Sequence, residues 1–132
     1  MNLVSRFTAG LIVAALSVAA AQAATPADLL AGYQAQAGAP GVAARGQAFF
    51  TSRHGAEWSC ASCHGAQPVQ TGRHASTGKP IEPLAPAFNA QRFTDAAKAE
   101  KWFRRNCKDV ASRECTPGEK ADVLAWLMGL QP

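Results

Sequence analysis

The stretch Cys60-Ala61-Ser62-Cys63-His64 constrains this chain more than any other, because it reads C-x-x-C-H. That spacing is the attachment signal for a c-type haem: each thiol forms a thioether with one haem vinyl group, and His64 then lies beneath the iron. A zinc half-site would need a second pair of ligands, and the sequence has no second C-x-x-C. A thioredoxin-like redox pair would not require the adjacent histidine. The motif therefore predicts one covalently bound haem c on Cys60, Cys63 and His64.

The first 23 residues have the pattern of an export signal. Arg6 gives a short positive region, an apolar run follows over residues 11–21, and small residues flank Gln22 at the cleavage-specifying positions. A membrane anchor is the alternative, but the run is short for a span and no stop-transfer charges follow it. We expect residues 1–23 to be a signal peptide and residues 24–132 a monohaem cytochrome c domain. The bacterial periplasm is the expected location, with no membrane span after cleavage.

Charge and cysteine content limit the partners and the covalent structure. The chain has 13 Lys and Arg against 9 Asp and Glu, a net charge of +4 at pH 7. Basic and acidic residues are mixed and no known nucleic-acid motif occurs, so nucleic acid is not an expected partner. Of the 4 cysteines, Cys107 and Cys115 remain after haem attachment. An even pair in an oxidising compartment most often forms a disulfide.

Helix signals, without alternating strand-like runs, predict an all-α, class I cytochrome c-like helical fold around one covalently bound haem. Capping residues and helical spacing place helices from Pro26 to about 37, from about 42 to 51, from Asp95 to about 110 and from Pro117 onwards. Gly46 falls inside the second of these helices, which predicts close packing against another helix.

Residues 65–92 break the helical pattern with repeated proline and glycine, so a long irregular loop is expected there. Such a loop in a compact domain usually has a function, and here it would cover the haem edges. Arg73, Lys79 and Arg92 would either meet the haem propionates or remain solvated surface charges.

The residue that fills the iron's axial position opposite His64 decides the function of a c-type haem. Met128 sits among core residues of the last helix, which favours packing. His54 is close upstream of the haem motif, and His74 lies in the loop, where it faces either the iron or solvent. The full set of candidates is Asn106, Met128, His54, His74 and Asn89.

Asn106 differs from the other candidates because it is an amide within an apolar stripe. Trp102, Phe103 and Val110 share its helical face. A polar group in such a place costs about 1–3 kcal/mol unless it finds a partner. The expected partner is either the iron or a backbone carbonyl.

Four segments of the chain closely resemble the SHP group of cytochromes c: KPIEPLAPAFN (79–89), RFTD (92–95), KWFRRNC (101–107) and RECTPGEK (113–120). These are small high-spin, oxygen-binding haem proteins related to cytochrome c double-prime. In that group the residue before the first disulfide cysteine is the sixth haem ligand, Asn in SHP and His in cytochrome c double-prime. The resemblance therefore implies axial ligands His64 and Asn106, with a Cys107–Cys115 disulfide.

An amide ligand would couple reduction of the iron to ligand exchange. An amide is a weak, hard donor that suits ferric iron better than ferrous iron. On reduction Asn106 should leave, so that the ferrous haem binds O2, NO or CO, and the released amide N–H could donate a hydrogen bond to bound O2.

Two functions compete at this point. One is a gas-binding cytochrome that receives electrons from a redox partner, another cytochrome; the other is an ordinary electron-transfer cytochrome c with a second strong ligand, Met or His. An oxygenase or NO-detoxifying activity would follow if bound O2 reacted with NO, but no acid–base pair beside the distal site is visible. Basic residues around Arg104, Arg105 and Lys108 would dock an acidic redox partner or form a solvated helix face.

Overall fold

The structure, a computed structural model, describes residues 23–132 and confirms the all-α architecture. The predicted signal peptide, except for Ala23, lies outside the described residues. None of the helices in the described part is long and apolar enough to cross a bilayer. The helices are α1 Pro26–Ala37, α2 Ala43–Thr51, α3 Ala61–His64, α4 Ala96–Ala111 and α5 Pro117–Gly129.

Reciprocal capping boxes fix where α1 and α5 begin. The Thr25 hydroxyl accepts a hydrogen bond from the Asp28 N–H, and the Asp28 carboxylate accepts one from the Thr25 N–H. Thr116 and Glu119 repeat this arrangement at the start of α5. A proline follows each capping threonine. At this first helical position an N–H would have no partner within the helix, so the proline costs no hydrogen bond. Both helices therefore begin where their sequences predict.

Helix α5 forms the centre of the core. Its Leu124 belongs to a cluster with residues of α1, and its Leu127 to a second cluster with residues of α2. Both leucines are 0% exposed. Phe103 of α4 packs against both clusters and so connects this helix to the core.

The α2–α5 crossing is close because two glycines face α5. A Cβ on Gly46 would overlap the backbone carbonyl of Asp122, and one on Gly41 would lie 2.5 Å from the carbonyl oxygen of Ala121. The buried Asp122 carboxylate also accepts hydrogen bonds from the Val42 N–H at 2.6 Å and from the Arg45 guanidinium at 2.7 and 2.9 Å. The close packing predicted from Gly46 is therefore present, and hydrogen bonds to the Asp122 carboxylate also connect the two helices.

The long loop contains one small sheet that the sequence analysis did not expect. Strand β1, Gly72–Arg73, pairs antiparallel with β2, Pro80–Ile81, with Gly72 opposite Ile81 and Arg73 opposite Pro80. Strands of two residues are too short to show an alternating pattern, so the sequence offers no periodic signal for them. The remainder of residues 65–92 is irregular, apart from turns, as predicted.

Gly46→Ala should lower the free energy of unfolding by about 1–3 kcal/mol, because the new methyl group must push α2 away from the α5 backbone. Gly32→Ala is the matched control, since a Cβ there meets nothing within 4 Å. That variant should gain up to about 1 kcal/mol from helix propensity. Chemical denaturation of both variants checks the pair. Equal effects would contradict the close α2–α5 contact.

Asp122→Asn should lower the free energy of unfolding by about 1–3 kcal/mol at pH 7. Desolvation tends to raise the pKa of Asp122, but the hydrogen bonds from Arg45 and Val42 outweigh it and hold the pKa below the ordinary 3.8. Because the folded-state pKa is the lower one, the carboxylate stabilises the fold above pH 3.8, and this contribution is lost as pH falls through the folded-state pKa.

The difference between wild type and Asp122→Asn should therefore be constant near neutral pH and shrink in acid. Denaturant unfolding between about pH 3 and pH 8 measures it. Glu114→Gln serves as control, because its pair with Arg104 is exposed and 3.9 Å long, and it should cost less than about 1 kcal/mol. A gap that widens in acid would contradict the assigned role of Asp122.

Candidate haem-binding site

A cavity of about 470 Å³ brings the predicted site residues together. This is within the range of pockets that hold small cofactors. Residues of α3, α4, α5 and the long loop contribute to its walls, which are largely apolar. The predicted site residues Cys60, Cys63, His64 and Asn106 all line it.

The haem motif forms one short helical turn at the cavity wall. The His64 N–H bonds to the Cys60 carbonyl at 3.1 Å, and the Gly65 N–H to the Ala61 carbonyl at 2.8 Å. Gly65 ends the turn with φ +80°, a conformation that only glycine adopts without strain. This turn presents both thiols and the imidazole to the same cavity.

The loop passes directly over this turn because Gly72 has no side chain. A Cβ on Gly72 would overlap the Cys63 carbonyl. Two residues beyond β1, the Ala75 N–H lies 3.2 Å from the Cys63 sulfur. The loop thus closes one edge of the cavity next to the second thiol, as expected of a segment that covers a cofactor.

The surroundings of the motif suit a neutral imidazole ligand. Burial, with a smaller contribution from the positive charge of Arg92, lowers the pKa of His64 to about 4. The ring is therefore neutral at pH 7, which is the form that binds a metal. Burial also raises the pKa of the Cys60 thiol to about 11, which reflects the same apolar surroundings.

Asn106 lines the cavity from α4 with an amide that has no protein partner. The residue is half-buried, and its side chain makes no hydrogen bond to any residue within the described range 23–132. Asn89 also lines the cavity, but its amide donates to the Pro83 carbonyl at 3.4 Å and accepts from the Gln91 N–H at 3.1 Å. Of the two partners expected for the Asn106 amide, the iron or a backbone carbonyl, no carbonyl is hydrogen-bonded to it among residues 23–132.

The other candidate ligands have different surroundings. His54 lies outside the cavity lining, stacks on Phe49 and bonds through Nε2 to the Phe49 carbonyl at 2.8 Å. Met128 packs against the α1–α5 cluster and also lies outside the lining. His74 does line the cavity, with its Nδ1 accepting a hydrogen bond from the Thr77 N–H at 3.3 Å.

The Cys107–Cys115 disulfide is present, which confirms that prediction, and its Cα atoms are 5.6 Å apart. It joins Cys107, just before the last turn of α4, to Cys115, which precedes the Thr116 cap of α5. An ion pair of 2.8 Å between Glu100 of α4 and Lys120 of α5 adds a second connection. Since Cys107 follows Asn106 directly, the disulfide restrains the helix turn that presents the amide.

Of the three loop cations considered for the propionates, Arg92 alone lines the cavity. Its guanidinium donates to the Pro83 carbonyl at 2.8 Å and the Glu82 carbonyl at 2.7 Å. Arg73 instead bonds to the Gly78 carbonyl at 3.0 Å, and both Arg73 and Lys79 are exposed. The sequence analysis did not predict that Arg92 holds the loop through these two carbonyls, because a sequence does not show which carbonyls lie near a guanidinium.

The sequence analysis also missed part of the apolar wall. Val123 and Leu127 of α5 and Ile81 and Leu84 of the loop all line the cavity. The helical spacing of Val123 and Leu127 indicates a buried face, but the spacing does not tell a face that packs on protein from one that packs on a cofactor.

Comparisons with known proteins agree with this geometry. Residues 36–127 match a family described as a domain of unknown function (DUF1924). The chain is 53% identical over 107 residues to the cytochrome c-type protein SHP of Cereibacter sphaeroides, covering 78% of this chain and 82% of that protein. It is 44% identical over 79 residues to cytochrome c'' of Methylophilus methylotrophus, covering 60% of this chain and 55% of that protein.

Solved structures give the same relationship. The structure of oxidised SHP, an oxygen-binding cytochrome c, matches with a TM-score of 0.77 and 52% identity over 82% of this chain and 99% of that one. Oxidised cytochrome c'' from Methylophilus methylotrophus matches with a TM-score of 0.73 and 34% identity over 81% and 95%. Its solution structure matches with a TM-score of 0.70 and 34% identity over 81% and 94%.

The helical fold, the C-x-x-C-H turn and the apolar cavity together define a c-type cytochrome. Its cofactor is a covalently bound haem c, and the cavity residues fit that group: two thiols, a neutral imidazole and apolar walls. Within this class, the chain belongs to the SHP family of cytochromes c.

Replacing both disulfide cysteines, as Cys107→Ala/Cys115→Ala, should lower the free energy of unfolding by about 2–3 kcal/mol, the entropy of closing a loop of about nine residues. Thermal and denaturant unfolding of the haem-loaded protein, with the iron ferric in both samples, measure this difference. A double variant as stable as the wild type would show that α4 does not need this link.

Proposed function

We propose that this protein is a periplasmic monohaem cytochrome c whose ferric iron is held between His64 and Asn106. We further propose that Asn106 leaves on reduction, so that the ferrous haem binds O2, NO or CO, with electrons supplied by partner cytochromes. Residues 1–23 would act as the signal peptide and residues 24–132 as the haem domain. One observation carries the proposal: the Asn106 amide lines the same cavity as the haem motif and has no hydrogen-bond partner among residues 23–132.

The protein's own side chains account for the redox dependence. Haem c supplies the one-electron redox change and, when ferrous, the affinity for diatomic gases. Burial lowers the pKa of His64 to about 4, so the imidazole is available at pH 7 in the neutral form that binds a metal. The Asn106 amide oxygen is a hard, uncharged donor that favours ferric over ferrous iron.

Once released, the Asn106 amide can act as a hydrogen-bond donor. Its NH2 group provides two N–H donors, and a donor beside a bound diatomic ligand stabilises O2 more than CO. Phe103 and Val110, which share the helical face of Asn106, and Leu127 of α5 add apolar side chains to the cavity lining. The same residue would thus close the site when oxidised and assist the gas ligand when reduced.

Two relatives support this proposal. The SHP of known structure is described as an oxygen-binding cytochrome c. The solution structure of cytochrome c'' is described as giving insights into the structural basis of haem-ligand detachment. An ordinary electron-transfer cytochrome would need Met or His beside the iron. Met128 and His54 lie outside the cavity lining, and His74, which does line it, has its Nδ1 engaged by the Thr77 N–H.

Asn106→Ala should remain high-spin when ferric but become five-coordinate or water-ligated, so that its absorption and electron paramagnetic resonance spectra differ from those of the wild type, because the amide ligand is lost. Asn106→His should instead give a low-spin ferric spectrum, since imidazole is a stronger ligand. Asn89→Ala is the matched control from the same cavity and should keep the wild-type ferric spectrum. Absorption and electron paramagnetic resonance spectra distinguish the three variants.

Carbon monoxide tests the ferrous half of the proposal. Added to reduced wild-type protein, it should shift the Soret band at once, because Asn106 no longer blocks the iron. A reduced spectrum indifferent to CO, or an Asn106→Ala ferric spectrum identical to the wild type, would contradict the proposed function.

A further inference from the structure

The positive charge of the described chain is concentrated on one helix. Helix α4 carries five Lys and Arg and two carboxylates, whereas the rest of residues 23–132 carries seven of each sign. The excess positive charge of the described chain therefore belongs to α4. This helix is also the one that brings Asn106 to the cavity.

Four of these cations form a continuous row, which we call the basic stripe: Lys98, Lys101, Arg105 and Lys108. Their spacing of three, four and three residues places them along one side of the helix. All four are exposed, and none forms an ion pair with an acidic residue in the described range. By contrast, Arg45, Arg113 and Lys120 are paired with carboxylates at 2.6–2.8 Å. The four positive charges of the stripe are therefore not neutralised by ion pairs with residues 23–132.

An exposed tryptophan borders this stripe on the side towards the cavity. Trp102 is 42% exposed, and the Arg105 guanidinium lies 5.7 Å from the centre of its ring. Trp102, Lys98 and Arg105 all line the haem cavity, so the stripe adjoins its rim. Two carboxylates of this region, Asp95 at the start of α4 and Asp109 near its end, also line the cavity. Exposed Trp and Arg are typical of the centres of protein interfaces.

We propose that the basic stripe and Trp102 form the docking surface for an electron-donor protein with an acidic patch around its own redox centre. This inference rests on the proposed function, in which the haem receives electrons from a partner. Complementary charge favours an acidic protein, since it speeds encounter and fixes orientation. A second copy of this chain fits poorly, because the acidic excess of any other helix in the described part is a single charge, from Asp28 in α1 and from Glu119 and Asp122 against Lys120 in α5. Both α5 carboxylates are already paired within the chain, with Arg113 and Arg45.

The test compares two variants that each remove two positive charges from the haem-loaded protein. Lys101→Gln/Lys108→Gln alters the stripe without touching residues that line the cavity. Arg53→Gln/Lys79→Gln is the matched control; both residues are exposed and form no ion pair with described residues. Stopped-flow absorbance follows reduction of the ferric haem by reduced flavodoxin, an acidic one-electron donor. Reduced lumiflavin, which is small and uncharged, is the reference donor.

With flavodoxin, the wild-type rate constant should fall as ionic strength rises, and the stripe variant should be about fivefold slower at low ionic strength. The control variant should stay within about twofold of the wild type. All three proteins should react alike with lumiflavin. Equal slowing of the two variants, or a rate that rises with salt, would overturn the assigned surface.

Two further outcomes separate this inference from the function on which it rests. If the stripe variant loses binding to anionic phospholipid vesicles while its flavodoxin rate is unchanged, the surface belongs to a membrane and the proposal fails. If protein reduced by lumiflavin does not bind CO, the gas-binding function fails, whereas the flavodoxin rates still test the docking surface by themselves.

Discussion

The connection between α4 and α5 is the constraint on which the site depends. Helix α5 is the centre of the core, and α4 is tied to it by the Cys107–Cys115 disulfide and the Glu100–Lys120 ion pair. Phe103 adds an apolar contact with both core clusters. These links hold the α4 turn that carries Asn106 beside the cavity of the haem motif.

The Asn106 amide is informative because it faces the cavity without a protein partner among residues 23–132. The amide is half-buried and accessible, so the cost would arise when a haem fills the cavity and removes the water around it. An amide buried without a hydrogen bond then costs about 1–3 kcal/mol. Asn89 in the same cavity already has two loop contacts, so Asn106 is the amide that would need a partner there. A haem iron in its ferric state is such a partner, and a ferrous iron is a poorer one.

Much of this architecture follows from the sequence, because it rests on local signals. Capping residues at Thr25 and Thr116 predicted where two helices begin, and C-x-x-C-H predicted the cofactor. The stripe of Asn106 with its apolar neighbours does face the cavity, as its helical spacing predicts. Recognition of the SHP pattern, rather than spacing, linked Asn106 to the iron and strengthened the pairing of Cys107 with Cys115.

What escaped prediction depends on contacts between distant segments. No local pattern encodes the contacts that form the two-residue strands or the hydrogen bonds from Arg92 to the loop carbonyls. The same holds for the hydrogen bonds that the Asp122 carboxylate accepts from Arg45 and Val42.

The central claim is that Asn106 binds the iron only while it is oxidised. Crystal structures of the haem-loaded protein in the ferric and ferrous states test it most directly. The account predicts the Asn106 amide at the iron in the first and withdrawn in the second; a Met or His ligand in both would contradict it.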